Sequence, residues 1–214
     1  MDAVLLNIIG SVPLVTKIWA IGCISLSLLT TTNVLDPAKT IYSFDLVFKK
    51  GHYERIVYSL FDYGQFDWAS IFNIFMNINH LTVLENSFAL KRRYCWIVTL
   101  MLVSIIAISS LEQPIPSLGI ILHENLVYYQ IRKNGDDLQF RLLGVFEVSP
   151  LMVRFYVDVM MLVVFRRSWL QVCMNFIPGH LLYYMDETVH DIYGIDLCKT
   201  PYDWWLDSRR QSAR

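Results

Sequence analysis

Residues 117 to 130 read SLGIILHENLVYYQ, an apolar stretch with three strongly polar side chains, His123, Glu124 and Asn125, in its middle. What those side chains meet depends on the solvent around them, and composition bears on that first. The chain has 214 residues, of which 55% are hydrophobic, 14% aromatic and only 17% charged. A soluble domain is nearer about half apolar and about a quarter charged. Excess apolar residues gathered into long blocks predict a membrane protein.

Outward from the quoted stretch, hydropathy marks six blocks: Val12 to Leu29, Trp68 to Leu90, Trp96 to Leu111, Leu118 to Ile131, Leu151 to Phe165 and Trp169 to Met185. A loop of about residues 31–65 separates the first two, and the other connections are short. There is no repeat, linker or low-complexity tract, so residues 1–214 read as one all-α polytopic membrane domain. Asp2 stands where a signal peptide carries basic residues, and Lys17 interrupts the first block, which therefore reads as a retained span. Lys91, Arg92, Arg93, Arg132, Lys133, Arg141, Lys199, Arg209, Arg210 and Arg214 all fall on one side if both termini share it. The bias of cytoplasmic loops toward Lys and Arg makes that side the cytosol. It gives six spans, cytosolic termini and a short cytosolic tail of about residues 188–214. Arg166-Arg167, in a short outer turn, is an exception to the rule.

Some functions are disfavoured outright. Cys23, Cys95, Cys173 and Cys198 show no paired spacing, so neither a disulfide framework nor a zinc site is indicated, and no cofactor is expected. A net charge of −1 makes no case for nucleic acid.

The polar residues inside the blocks carry more information. A helix crossing about 30 Å of hydrocarbon needs roughly 20 apolar residues, and the fourth to sixth blocks are shorter and interrupted. Short helices thin the bilayer, oligomerise or draw in water. On the second block Asn73, Asn77 and His80 recur at i, i+4, i+7, with Asn79, Thr82 and Asn86 in a neighbouring row and Glu85 beside them. Such groups at membrane depth face a bundle interior or a watery cavity; the alternative is interhelical hydrogen-bond glue. Arg154 and Asp158 are spaced to pair within the fifth helix, as structural neutralisation or as a relay. Asn175, Gly179 and His180 form a face of the sixth, where Gly179 admits a close backbone approach and the larger Asn175 loosens it.

Could the polar triplet be catalytic? A zinc protease helix needs a second His one turn on, and position 127 is Val. A Ser-His intramembrane protease would have to use Ser117 and His180, but a Ser at a helix start is more often a cap. Residues 123, 124 and 125 fan over about 200° of a helix and cannot all line one site. Glu124 can then turn to a cavity while His123 and Asn125 bond to neighbouring helices.

Several long stretches carry a family resemblance: DPAKTIYSFDLVFKKG (36–51), LFDYG (60–64), LENSF (84–88), LHENLVYY (122–129), MNFIPGHLLYYMD (174–186) and IYGIDLCKTPYDW (192–204). Spread over nearly the whole chain, they resemble the Derlin family, the rhomboid-like pseudoproteases of the endoplasmic reticulum (ER). The resemblance implies a six-helix rhomboid-like bundle with a long first lumenal loop, in the ER membrane, without protease activity. Where rhomboids present a nucleophilic Ser this chain has Gly119 followed by Ile120, and where they carry the His base it has Val172. Of the Trp-Arg pair in the first loop only Arg55 is kept. The tail PYDWWLDSRRQSAR lacks the Phe- and Gly-rich box with which some members recruit the cytosolic AAA ATPase, so that contact would be indirect.

The resemblance further implies a subunit that moves misfolded lumenal proteins to the cytosol, in company with a membrane RING ubiquitin ligase, its lumenal adaptor and a tethering scaffold subunit. Asn73, Asn77, His80 and Glu124 are the expected substrate path; Arg55, His123, Asn125, Arg154, Asp158, Asn175, Gly179 and His180 are the expected structural polar residues. Polar side chains in thinned bilayer lower the cost of passing backbone groups that hydrocarbon leaves unpaired. An active protease using Ser117 and a small-molecule transporter are the competing classes. A transporter predicts internal repeats and broken helices, for which Pro178-Gly179 is the one candidate break.

Overall fold

The structure, a computed structural model, describes residues 12–133, 140–142, 146–148, 150–164 and 166–212. Its helices follow the apolar blocks. Helix α1 (Leu14–Thr31) starts after Pro13, whose ring holds the extended backbone ahead of the first turn. At its far end Thr30, Thr31 and Thr32 donate their hydroxyls to carbonyls three or four residues back.

The connection that follows is more ordered than a loop. It holds a 3₁₀ turn (Pro37–Lys39), α2 (Phe44–Phe48) and α3 (Glu54–Phe61). Asp36 caps the turn by accepting from the Ala38 amide at 2.9 Å. Arg55 donates to the carbonyls of Ala38 and Ile41, both at 2.9 Å, which ties α3 back onto the turn. Tyr42 pairs with Ile115 through two backbone hydrogen bonds and reaches Ser109 with its hydroxyl. Burial in this contact raises the Tyr42 phenol above its ordinary pKa.

Helices α4 (Trp68–Ser87), α5 (Lys91–Ile108) and α6 (Leu118–Lys133) come next. They are followed by α7 (Pro150–Val163), α8 (Trp169–Met174), α9 (Ile177–Tyr183), a π turn (Tyr184–Thr188), α10 (Val189–Tyr193) and α11 (Pro201–Ser212). Two departures from the sequence reading stand out. Between α6 and α7 lies a short antiparallel ladder, β1 (Phe140–Leu142) on β2 (Phe146–Val148), so the chain is helical but not wholly α. Each strand alternates apolar and charged residues, the period-2 signal of a strand, which a hydropathy window averages away. The sixth block, expected as one helix, is broken at Asn175-Phe176 into α8 and α9.

Helix α6, which carries the polar triplet, is the hub. It packs against α3, α4, α5, α7 and α9. Leu118, Leu122, Leu126 and Tyr129 form its buried stripe and meet Tyr94, Ile97, Met101 and Ile105 of α5 in one core. The outside of the bundle is also apolar. Ile18 and Ile21 of α1, Phe72 of α4, and Tyr156 and Val163 of α7 are each more than half exposed. Contiguous apolar faces of that kind mark surfaces covered by lipid or by partner protein. Among the described residues α1 alone is long and apolar enough to cross a membrane by length and composition. Helices α6 and α7, with 16 and 14 residues, reach only about 24 and 21 Å at about 1.5 Å per residue.

Candidate functional site

The three polar residues of α6 go to three different places. Asn125 is fully buried and its side chain answers the break in the sixth block. Pro178 has no amide and its ring collides with the carbonyl four residues back, that of Met174. The freed Met174 carbonyl accepts from Asn125 Nδ2 at 2.8 Å, and the Gly179 amide donates to Asn125 Oδ1 at 2.9 Å. A second Nδ2 bond goes to the Ile121 carbonyl at 2.8 Å. A methyl group at Gly179 would stand 2.6 Å from the Asn125 carbonyl, so Gly is needed for this approach. The Asn125 side chain thus joins α6 to both sides of the break, and α8 and α9 abut across it.

His123 turns the other way, toward α4. Its ring lies over that of His80 with centroids 5.6 Å apart and planes 12° apart, and His80 Nδ1 is 3.5 Å from His123 Nε2. Asn77, buried on the same side of α4, hydrogen-bonds Tyr63, whose hydroxyl donates to the Gly119 carbonyl at 3.0 Å. Asn73 is exposed, so the expected stripe divides: Asn73 is left outside, Asn77 meets Tyr63 and His80 meets His123 of α6. Glu85, at the end of α4, is buried and caps α1, accepting from the amides of Val15 and Thr16 and from the Thr16 hydroxyl. Its charge is favourable against the positive end of that helix.

Glu124 lines a cavity of about 200 Å³ between α6, α7 and α8. Around it stand Glu112, Asp158, Arg167, Gln171 and Asn175, on a floor of aliphatic residues that includes Ile120, Ile121, Met161 and Val172. Gln171 donates to Glu112 at 3.1 Å. The carboxylate of Glu124 is also near enough to act electrostatically on His80. Glu124, Asp158 and Asn175 are therefore brought to one cavity, whereas Asn73, Asn77 and His80 lie on the other flank of α6. The Arg154 side chain lies outside the described residues.

The positions a protease would use are otherwise engaged. The Ser117 hydroxyl donates to the Asp62 carbonyl at 2.7 Å and accepts from the Ile120 amide at 3.1 Å, which makes it the N-terminal cap of α6. Gly119 is pressed against α3, and an added Cβ would lie 2.1 Å from the Leu60 carbonyl oxygen. His180 is exposed, with its Nδ1 3.0 Å from the Tyr128 hydroxyl. No metal-binding group of three His, Cys, Asp or Glu occurs among the described residues.

With this geometry in hand, the chain can be compared with known proteins. A family model described as the Der1-like family matches residues 12–202. The chain belongs to the Der1-like family. It is 55% identical over 208 residues, 97% of this chain and 99% of the relative, to Degradation in the endoplasmic reticulum protein 1 of Saccharomyces cerevisiae. It is 23% identical over 198 residues, 89% of this chain and 78% of the relative, to a Probable derlin-2 homolog of Dictyostelium discoideum.

One cluster of this Der1-like chain escaped sequence reasoning. Asp186, on the π turn, is buried and accepts from Arg93 at 2.7 Å and from the Tyr129 hydroxyl, while Arg93 also meets Asp196 at 3.3 Å. Lys133 pairs with Glu187 at 2.5 Å. Beneath lies Cys198, whose thiol is pushed up to about 12 by burial first and then by the charges of Asp186 and Asp196. The available signal is the acidic pair Asp186-Glu187 just past the sixth block, opposite the basic residues Arg93 and Lys133.

Proposed function

We propose that this protein is a non-catalytic subunit of ER-associated degradation, resident in the ER membrane with both termini cytosolic. Its six apolar blocks would each supply a span, with residues 31–65 on the lumenal side. There it forms a polar half-channel in locally thinned membrane, through which misfolded lumenal proteins pass toward the cytosol for ubiquitination. The relative named for degradation in the endoplasmic reticulum supports the broad role. The single observation that carries the mechanism is the contrast around α6: it is closed by backbone contact against α3 at Gly119 and against α9 at Asn125, and it opens on a cavity at Glu124. Short helices on the cavity side, α6 and α7, favour thinning at a modest cost in mismatch. Glu124 would line the path at the cavity, and His80, Asn77 and Asn73 would meet the client along α4.

The reading includes partners of the kind expected from the family: a membrane RING ubiquitin ligase, its lumenal adaptor, a tethering scaffold and, through them, the AAA ATPase. The protease reading is disfavoured by a capped Ser117 and a crowded Gly119. The broken sixth block was the transporter signature, but here the groups it frees are consumed by Asn125 rather than offered to a solute.

Photocrosslinkers at positions 80 and 161, in native ER membranes with a misfolded lumenal protein stalled in degradation, test the proposal. Adducts with the full-length client from both positions are expected. Degradation that still depends on this chain, with no adduct from either position, would remove the conduit role and leave a scaffold.

A further inference from the structure

Helix α11, at the end of the chain, has two unlike faces. At about 100° per residue, Asp203 and Asp207 share one side of the helix, and both are engaged. Asp203 accepts from Arg92 at 2.6 Å and from the Thr200 hydroxyl at 2.6 Å, and Asp207 pairs with Lys199. Arg92 belongs to the first turn of α5, so these contacts hold α11 at the end of a bundle helix. The opposite side carries Tyr202, Trp205 and Arg209, all exposed. Arg92 sits 5.1 Å above the Tyr202 ring and Arg209 4.1 Å above the Trp205 ring. Trp204, between the two sides, is 57% exposed. The acids of the helix are thus paired with Arg92 and Lys199, and the face opposite them is aromatic with Arg209 as its cation.

We propose that this face binds the anionic headgroups of the leaflet beside it, with α11 lying in the interface plane as a second, peripheral attachment of the chain. Three observations converge on that occupant. Trp and Tyr settle at the level of lipid headgroups. The outward charge is complementary to an anionic leaflet. The salt bridge to Arg92 fixes the helix at the end of a bundle helix, where a span meets the bilayer surface. The inference rests on the reading of the chain as membrane-spanning with a cytosolic tail.

The test uses the full-length protein with a fluorescent amino acid in place of Trp205. It is reconstituted in nanodiscs of phosphatidylcholine with or without phosphatidylserine, and some discs carry headgroup-labelled quencher lipids. The expected result is blue-shifted emission and strong quenching with phosphatidylserine. Arg209→Gln, which removes one charge, should weaken the binding constant about fivefold, because each basic residue near an anionic surface contributes about that factor. Arg209→Glu, which reverses the charge, should weaken it more, with thermal unfolding expected to be unchanged in both. Three results would overturn the proposal: water-like emission in both lipids, quenching indifferent to phosphatidylserine, or burial of the probe only after ligase-complex proteins are added. A membrane-impermeant quencher on sealed microsomes separates this failure from the other. If it acts only from the lumenal side, the topology itself is wrong.

Discussion

The closed and the open sides of helix α6 differ sharply. Where it meets α3, Gly119 lies against the Leu60 carbonyl, and where it meets α9, Gly179 lies against the Asn125 carbonyl, so that backbones touch. On the open side, Glu124 lines a cavity shared with Asp158 and Asn175. Adjacent residues of one polar triplet therefore do opposite work: Asn125 closes the bundle and Glu124 lines its opening. A polar residue in an apolar helix is informative only once its partners are known, because a saturated amide and a cavity-facing carboxylate look alike in sequence.

The sharpest way to break this comparison is Asn125→Leu. The branched shape is kept, but the Met174 carbonyl and the Gly179 amide lose their partners inside the core. Two unsatisfied buried backbone groups should cost about 3 kcal/mol. Thermal unfolding in nanodiscs should record a large drop; an unchanged midpoint would mean that α8 and α9 hold together without the amide.

Gly119→Ser comes next. It adds a hydroxyl near Ser117, where a protease reading would seek a nucleophile, yet the new Cβ stands 2.1 Å from the Leu60 oxygen. Overpacking of this kind should destabilise by about 2 kcal/mol, and no cleavage of a rhomboid model substrate should appear. Proteolysis by this variant would reopen the closed flank as an active site.

Much of this was legible in the sequence, and the exceptions share a cause. The six apolar blocks each contain helix because hydrophobic periodicity is local. So is Ser117 as a cap, since Ser before an apolar run needs only its own next turn. The role of Asn125 was not local: its partners lie 49 and 54 residues along the chain. They need a cap only because Pro178 breaks the helix that would have satisfied them. The same holds for Asp186, whose partner Arg93 is 93 residues away. Asn73, Asn77 and His80 share a helix side by their spacing, but Asn77 and His80 meet Tyr63 and His123 whereas Asn73 is exposed. Periodicity gives the side of a helix; it does not give how far along that side the neighbour reaches.

Two smaller perturbations refine the contrast. Glu85→Gln keeps the shape of the α1 cap and removes its charge, and about 1 kcal/mol of stability should go with it. Glu124→Gln is the mirror test on the open flank. The substitution keeps the side chain's shape at the wall of a cavity, so the melting midpoint should shift by no more than about 0.5 kcal/mol of stability permits. Transport is where the change should be felt: client crosslinking from position 161 should fall, and degradation of the lumenal client should slow in proportion. If Glu124→Gln instead unfolded the protein while transport per folded molecule stayed constant, Glu124 would belong with Asn125 among the residues that close α6. The open flank would then have to be sought around Asp158 and Gln171.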